Sequence, residues 1–305
     1  MAAIMGSTPR TSCDGSDDGD EDLPACPSAL LHVRPARVVA DVDEEIFLLY
    51  TLHAKAEHDG GLGYVNHSAD RIYVAIDGQR WKSALSARNL SGAIVVHQDV
   101  TSLRSTKGNT GSVLWRSTVE LAIRFRTGAL FDLAALRDAS VLELGAGTGA
   151  LPALVGPVCK TWLATDQHDL VALLDKNTDA LPGVHTAALD WFDFHNPPSS
   201  HTLQIRKSDI LNRLHSTNNA GDAVVDLIIC CDCIYNPALF PALVATINAF
   251  TTPNHTLVLV ACEMRSHHSL ADFLHEWQAS DAAWTILSLE KRFDKGFVTL
   301  AAWKS

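Results

Sequence analysis

The stretch Val141-Leu142-Glu143-Leu144-Gly145-Ala146-Gly147-Thr148-Gly149 decides the fold. Val141–Leu144 is an apolar run of strand length, glycine then falls at alternate positions, and Ala150–Val155 opens a helical run. A strand that turns into a helix through glycines begins a strand–helix–strand unit, and the missing Cβ atoms let a ligand approach the backbone. Outward from this turn, apolar strand-like runs fall at Thr161–Thr165, Thr186–Leu189, Val225–Cys230, Leu257–Ala261, Trp284–Leu289 and Val298–Trp303. Helical stretches fall at Trp115–Phe125, Asp169–Asp179, Ala238–Phe250 and Ser269–Gln278. Alternation of this kind predicts a parallel sheet covered on both faces. Only Lys291–Gly296 separates the last two strands, too few residues for a helical crossover, so these strands are expected to be antiparallel neighbours. The expected fold is α/β: a Rossmann-like, seven-stranded sheet with an antiparallel last strand, an ending not expected of a dinucleotide-binding dehydrogenase.

A glycine-rich turn alone does not name its ligand, because nicotinamide and flavin enzymes use one too. Glu143 narrows the choice. A carboxylate two residues before the first glycine suits the cationic end of S-adenosyl-L-methionine and repels a pyrophosphate. The spacing Gly145-x-Gly147-x-Gly149 points the same way, although Ala150 also mimics the dinucleotide pattern. Asp166 ends the next strand, where a carboxylate accepts hydrogen bonds from ribose hydroxyls; a helix N-cap is its structural alternative. Asp190 and Trp191 end the third strand, placed to meet the adenine amino group and ring, or else to serve as a turn residue and a core indole.

The region before this domain is less regular. Residues 1–27 hold Asp14, Asp17, Asp18, Asp20, Glu21 and Asp22 among Gly, Ser and Pro, and are expected to form a disordered acidic tail with no signal-peptide pattern. Residues 28–105 read as a strand-bearing extension, with a short helix near Glu44–Tyr50, a breaker at Asp59–Gly63, and strands at Ile72–Ile76 and Ala93–His97. Residues 106–305 form the expected cofactor-binding domain. The extension is the part least explained by the fold, and is expected to influence the choice of acceptor.

The formal net charge of −11 argues against a broadly basic nucleic-acid-binding surface and suits basic protein partners. No apolar run reaches the length of a membrane span. The seven cysteines show no framework spacing, which points to a reducing, intracellular compartment. Cys230-x-x-Cys233 has the spacing of a zinc or redox motif but lacks a second ligand pair, so no metal is expected. Glu263-Met264-Arg265 ends the fifth strand, either lining an acceptor channel or forming an ion pair.

The glycine loop, Ala164-Thr165-Asp166, Leu189-Asp190-Trp191 and above all Cys231-Asp232-Cys233-Ile234-Tyr235 resemble the family-16 methyltransferases. That family includes protein-lysine methyltransferases related to the one acting on valosin-containing protein. Gly111–Trp115 matches its Gly-x-x-x-Trp segment, and Asn236-Pro237 is similar to the fungal ribosomal lysine N-methyltransferase 5 group. The resemblance covers residues 93–303. It implies S-adenosyl-L-methionine bound by Trp115, Glu143, Gly145, Gly147, Gly149, Asp166, Asp190, Trp191 and Cys231. It implies Asp232 and Tyr235 as the residues that position a lysine. The implied partner is a protein substrate, with a large-subunit ribosomal protein as the expected case, met by a cytoplasmic or nuclear monomer that needs no direct contact with nucleic acid. A methyltransferase acting on a small molecule or another side chain, a non-catalytic binding protein and an NAD-dependent oxidoreductase are the competing readings.

Overall fold

A computed structural model describes residues 26, 28–31, 36–52, 63–103, 110–155, 158–215, 224–289 and 296–305. The acidic tail, the Asp59–Gly63 breaker and the Lys291–Gly296 connection, save Cys26, Gly63 and Gly296, lie outside the described residues. In chain order the elements are β1 (Ala36–Val38), α1 (Val42–Leu52), β2 (Arg71–Asp77), β3 (Arg80–Ala84), β4 (Ile94–His97), α2 (Val100–Leu103), α3 (Arg116–Arg126) and α4 (Leu133–Leu136). There follow β5 (Ser140–Leu144), α5 (Ala150–Val155), β6 (Thr161–Asp166), α6 (His168–Thr178), β7 (Val184–Ala188), α7 (Phe192–His195), α8 (Ser200–His215) and β8 (Leu227–Cys231). The chain closes with α9 (Phe240–Phe250), β9 (Leu257–Glu263), α10 (His267–Ser280), β10 (Trp284–Leu289) and β11 (Phe297–Lys304).

The large sheet runs β1-β10-β11-β9-β8-β5-β6-β7. Strands β9, β8, β5, β6 and β7 are parallel, whereas β11 is antiparallel to both β9 and β10. The connection order reverses at β5, which opens a crevice beyond the carboxyl ends of β5, β6 and β8. Alternate residues of one strand serve opposite faces. Leu142, Leu144, Ile228, Cys230, Val258 and Val260 join one core, with α1, α8, α9 and α10. Val141, Leu227, Ile229, Leu257 and Leu259 join the other, with α3, α5 and the small β3-β2-β4 sheet. Both faces are dry, which is why the central strands read as unbroken apolar runs.

The sheet has eight strands where seven were expected, because β1 of the N-terminal region pairs with the edge strand β10. Helix α1 follows and lays Val42, Ile46 and Leu49 into the first core beside α10. Burial of side chains of this kind contributes about 1.5–3 kcal/mol each. Ile72, Val74 and Val96 of the small sheet enter the second core. The residues before Trp115 therefore complete both hydrophobic layers.

Candidate active site

The glycine loop turns from β5 into α5 with Gly145, Gly147 and Gly149 all at positive φ (72°, 57° and 72°). At Gly147 an added Cβ would lie 2.8 Å from the Gly111 carbonyl oxygen, and at Gly145 it would meet Cys233 Sγ at 2.7 Å and the Trp191 ring at 3.1 Å. The loop is thus pressed between the Thr110–Trp115 segment and the indole that follows β7. Asp166, at the end of β6, accepts from the Gly147 amide through Oδ2 (2.8 Å) and from the Gln167 amide through Oδ1 (2.7 Å). Burial raises its pKa despite those two donors. Asn177 fastens the back of the loop, donating to the carbonyls of Thr148 (2.7 Å) and His97 (2.8 Å).

Glu143 sits on the α3 face of the sheet, as its alternation with Val141 and Leu142 requires. Its side chain is 2% exposed, and Trp162 Nε1 donates to Oε2 at 2.9 Å. Burial pushes the carboxyl up to about 8 from an ordinary 4.5. Its direct partner is an indole, a role that no spacing rule announces. The shift carries a sign. Below pH 4.5 the acid is protonated whether the chain is folded or not, and its contribution to stability is complete. Between about 4.5 and about 8 the unfolded chain releases this proton first, so the contribution falls as pH rises. Glu143→Gln is expected to flatten this decline in melting temperature of the cofactor-free protein. Parallel pH profiles for the two proteins would disprove it.

Asp190 is exposed and caps the Phe192 amide (3.0 Å). Trp191 lies against Gly145 and the first core. Cys231 is buried, facing Thr118 on α3 at 3.9 Å. Cys233 Sγ meets the Leu144 carbonyl at 3.2 Å. Burial raises the pKa of Cys230, Cys231 and Cys233, which makes thiolate chemistry unfavourable there. Among the described residues no group of three or more His, Cys, Asp or Glu is arranged to hold a metal.

The far side of the crevice begins at Asp232, just past β8, in the left-handed region (φ 59°) and 9% exposed. Arg265 grips both of its oxygens, Nη1 to Oδ1 at 3.0 Å and Nη2 to Oδ2 at 2.6 Å. The same guanidinium reaches Glu263 Oε2 (3.2 Å) and lies over the Trp115 ring at 4.6 Å. Trp115 has Tyr64 on it as well, at 4.4 Å between centroids. The segment 63–65 covers this cluster: the Gly63 carbonyl accepts from the Arg116 amide and Val65 donates to Leu114. Tyr235 is half-exposed beside a cavity of about 130 Å³ lined by Ile234, Glu263, Met264, Arg265 and Leu270 among others. Asn236 Oδ1 caps Ala238 (3.1 Å), which gives Asn236-Pro237 a local structural role. Glu263-Met264-Arg265 is ion-paired, one of the two readings offered for it, and the segment also lines this cavity. Tyr64 had no signal in its neighbourhood that marked it as part of this cluster.

The fold and crevice define an α/β protein of the methyltransferase class. The sequence profile of a family described as "Lysine methyltransferase" matches residues 96–280, more than half of the chain, and the chain belongs to that family. Its cofactor is S-adenosyl-L-methionine. The crevice fits such a ligand: two glycines leave no room for Cβ atoms, and a half-buried carboxylate at the end of β6 keeps accepting capacity beyond its two amide donors. A protein of Schizosaccharomyces pombe named diaminohydroxyphosphoribosylamino-pyrimidine deaminase is 26% identical over 240 residues, which cover 77% of this chain and 51% of that protein. The chain thus spans about half the length of this curated relative. Solved structures that resemble it include the N-methyltransferase NodS of Bradyrhizobium japonicum WM9 (15% identity, 62% of this chain, 85% of that chain, TM-score 0.38). The fibrillarin pre-rRNA processing protein of Methanococcus jannaschii is another (13% identity, 76% and 97% covered, TM-score 0.43). Among the described residues no helix is long and apolar enough to cross a membrane.

Proposed function

We propose that this chain methylates the ε-amine of a lysine in a protein, with a ribosomal protein of the large subunit as the foremost acceptor and the cytoplasm or nucleus as the place. The observation that carries the reading is the Asp232–Tyr235 corner at the end of β8. It sets the Tyr235 ring at a small cavity that Ile234, Met264 and Leu270 line on one side and Glu263 and Arg265 on another, with the buried Asp232 carboxylate held by that same Arg265. The cofactor supplies an electrophilic methyl group on a sulfonium. The loop Gly145–Gly149 and Asp166 hold it by backbone approach and by ribose contacts, with Trp191 and Asp190 toward the adenine and Trp115, Glu143 and Cys231 around the rest of the crevice.

On the acceptor side, the aliphatic stem of lysine suits Ile234, Met264 and Leu270. Lysine is protonated in water, with a pKa near 10.4. Apolar walls and nearby positive charge favour the neutral amine that attacks. Asp232, with both oxygens already accepting from Arg265, orients that amine rather than serving as a dedicated base. Tyr235 offers a ring face to the methylated, cationic product.

Two measurements test this. Calorimetric titration of the Asp166→Ala variant is expected to show cofactor affinity weakened roughly 10- to 100-fold, the loss of two hydrogen bonds. Unchanged affinity in a folded variant removes Asp166 from the site. Methyl incorporation from labelled cofactor into large-subunit ribosomal proteins, followed by mapping, is expected to mark lysine. A product on arginine, histidine or a small molecule overturns the lysine reading and leaves the methyltransferase standing.

A further inference from the structure

We propose that the groove between α1 and α10 is where the acceptor polypeptide docks, taking an apolar anchor side chain flanked by basic residues. This rests on the protein-acceptor reading above.

The groove is built rather than incidental. Ile46, Phe47, Tyr50, Thr51 and His267 line a cavity of about 410 Å³. Its floor is fixed, because Ile46 and Leu49 are buried in the core shared with α10. Phe47 points the other way and is 69% exposed, more than any other large apolar side chain among the described residues. The described residues leave most of that ring uncovered, whereas aromatic side chains in pockets are the common anchors of protein interfaces. Tyr50 stands edge-on to His267 at 5.8 Å, and its buried hydroxyl has no hydrogen-bond partner. Such groups are rare in a finished surface.

Charge identifies the occupant. Asp41, Asp43 and Glu44 are exposed where α1 begins, and Asp272 is exposed on α10. Neither helix contains a lysine or arginine. Asp43 faces His275 of α10 at 3.5 Å. An acidic rim around an aromatic ring complements a peptide that pairs an apolar residue with Lys or Arg. Position supplies the connection to chemistry. Ser266, Ser269 and Leu270 line the cavity beside Tyr235, while His267 lines the groove. One helical turn, about 5.4 Å of rise, therefore borders both openings. A polypeptide with its lysine at the first reaches the second within a few residues.

The test is a library of peptides with a central lysine, in which each flanking position is varied through Phe, Leu, Arg, Ser and Glu. The wild type is expected to favour Phe or Leu at one flanking position, with Arg beside it, by about tenfold or more in kcat/KM. Phe47→Ser is expected to erase the apolar preference by raising KM, with kcat at saturating peptide and cofactor affinity unchanged. Asp43→Lys with Glu44→Lys is expected to erase the preference for Arg. Equal kcat/KM for wild type and Phe47→Ser on every peptide overturns the proposal. So does a change from dimer to monomer in Phe47→Ser with selection intact, which makes the groove an interface between copies. A lowered melting temperature with selection intact overturns it too, since the groove is then covered by the chain itself. If the wild type methylates no lysine peptide but does methylate another acceptor, the protein-lysine reading fails first and the groove's role falls with it.

Discussion

Asp232→Ala is expected to slow methyl transfer by about 10²-fold, the loss that follows when a reacting group is misplaced by as little as an ångström. Removal of the carboxylate also leaves Arg265 with Glu263 as its remaining hydrogen-bonded carboxylate. Two variants separate charge from backbone. Asn tolerates the left-handed conformation that residue 232 adopts (φ 59°), so Asp232→Asn keeps the turn and removes the charge. Asp232→Gly keeps the turn and removes the whole side chain. Both are expected to lose turnover as Ala does, with cofactor affinity within a few-fold of wild type. Alkaline pH is expected to restore little, because geometry does not titrate. Tyr235→Phe should retain more activity than Tyr235→Ala, since the ring remains. The readout is single-turnover methyl incorporation at saturating cofactor. Wild-type rates in Asp232→Ala would take that residue out of the mechanism.

Gly147→Ala should be as damaging, by another route. A Cβ at this φ costs about 1–2 kcal/mol on conformational grounds alone. Here it also meets a backbone oxygen at 2.8 Å, which cannot rotate away as a side chain can. Either Gly111 moves, carrying Thr110 and the hydrogen bond it accepts from Trp115, or the loop moves and breaks the hydrogen bond that the Gly147 amide donates to Asp166. Cofactor affinity is expected to fall roughly 10- to 100-fold, the equivalent of a few kcal/mol. Gly92→Ala is the control, because Gly92 has a similar φ of 68° and open space around it. It should lose some stability and no affinity. Equal cofactor binding by Gly147→Ala and wild type would mean that the loop does not cradle the ligand.

The parallel strands were legible because strands buried on both faces spell continuous apolar words, as Leu227–Cys231 does. Helix α8 was not. Only Ile210, Leu211 and Leu214 are buried among its 16 residues, so it carries no apolar stripe long enough to read. Strands β1 and β3 escaped for a related reason: β1 has three residues, and β3 is largely exposed. Within the site, position at a strand end nominated Asp166, and the family resemblance nominated Asp232, which follows β8. Their partners come from contact rather than spacing. Arg265 lies 33 residues beyond Asp232, and Trp162 lies 19 beyond Glu143. The inward direction of Glu143 was written in the alternation Val141-Leu142-Glu143, and reading the motif as a ligand signature alone passes over it.

The position of β1 also sets a timetable for synthesis. Its partner in the sheet is β10, where Ala36 faces Leu289. Strand β10 joins the sheet only through β11, which inserts between it and β9. The N-terminal strand therefore waits for almost the whole chain, a delay on the order of tens of seconds at ordinary translation rates. During that interval Val42, Ile46 and Leu49 lack the surface that later buries them. A nascent chain stalled before Phe297 is expected to leave β1 and α1 accessible to protease and chaperone, while the finished protein shields them.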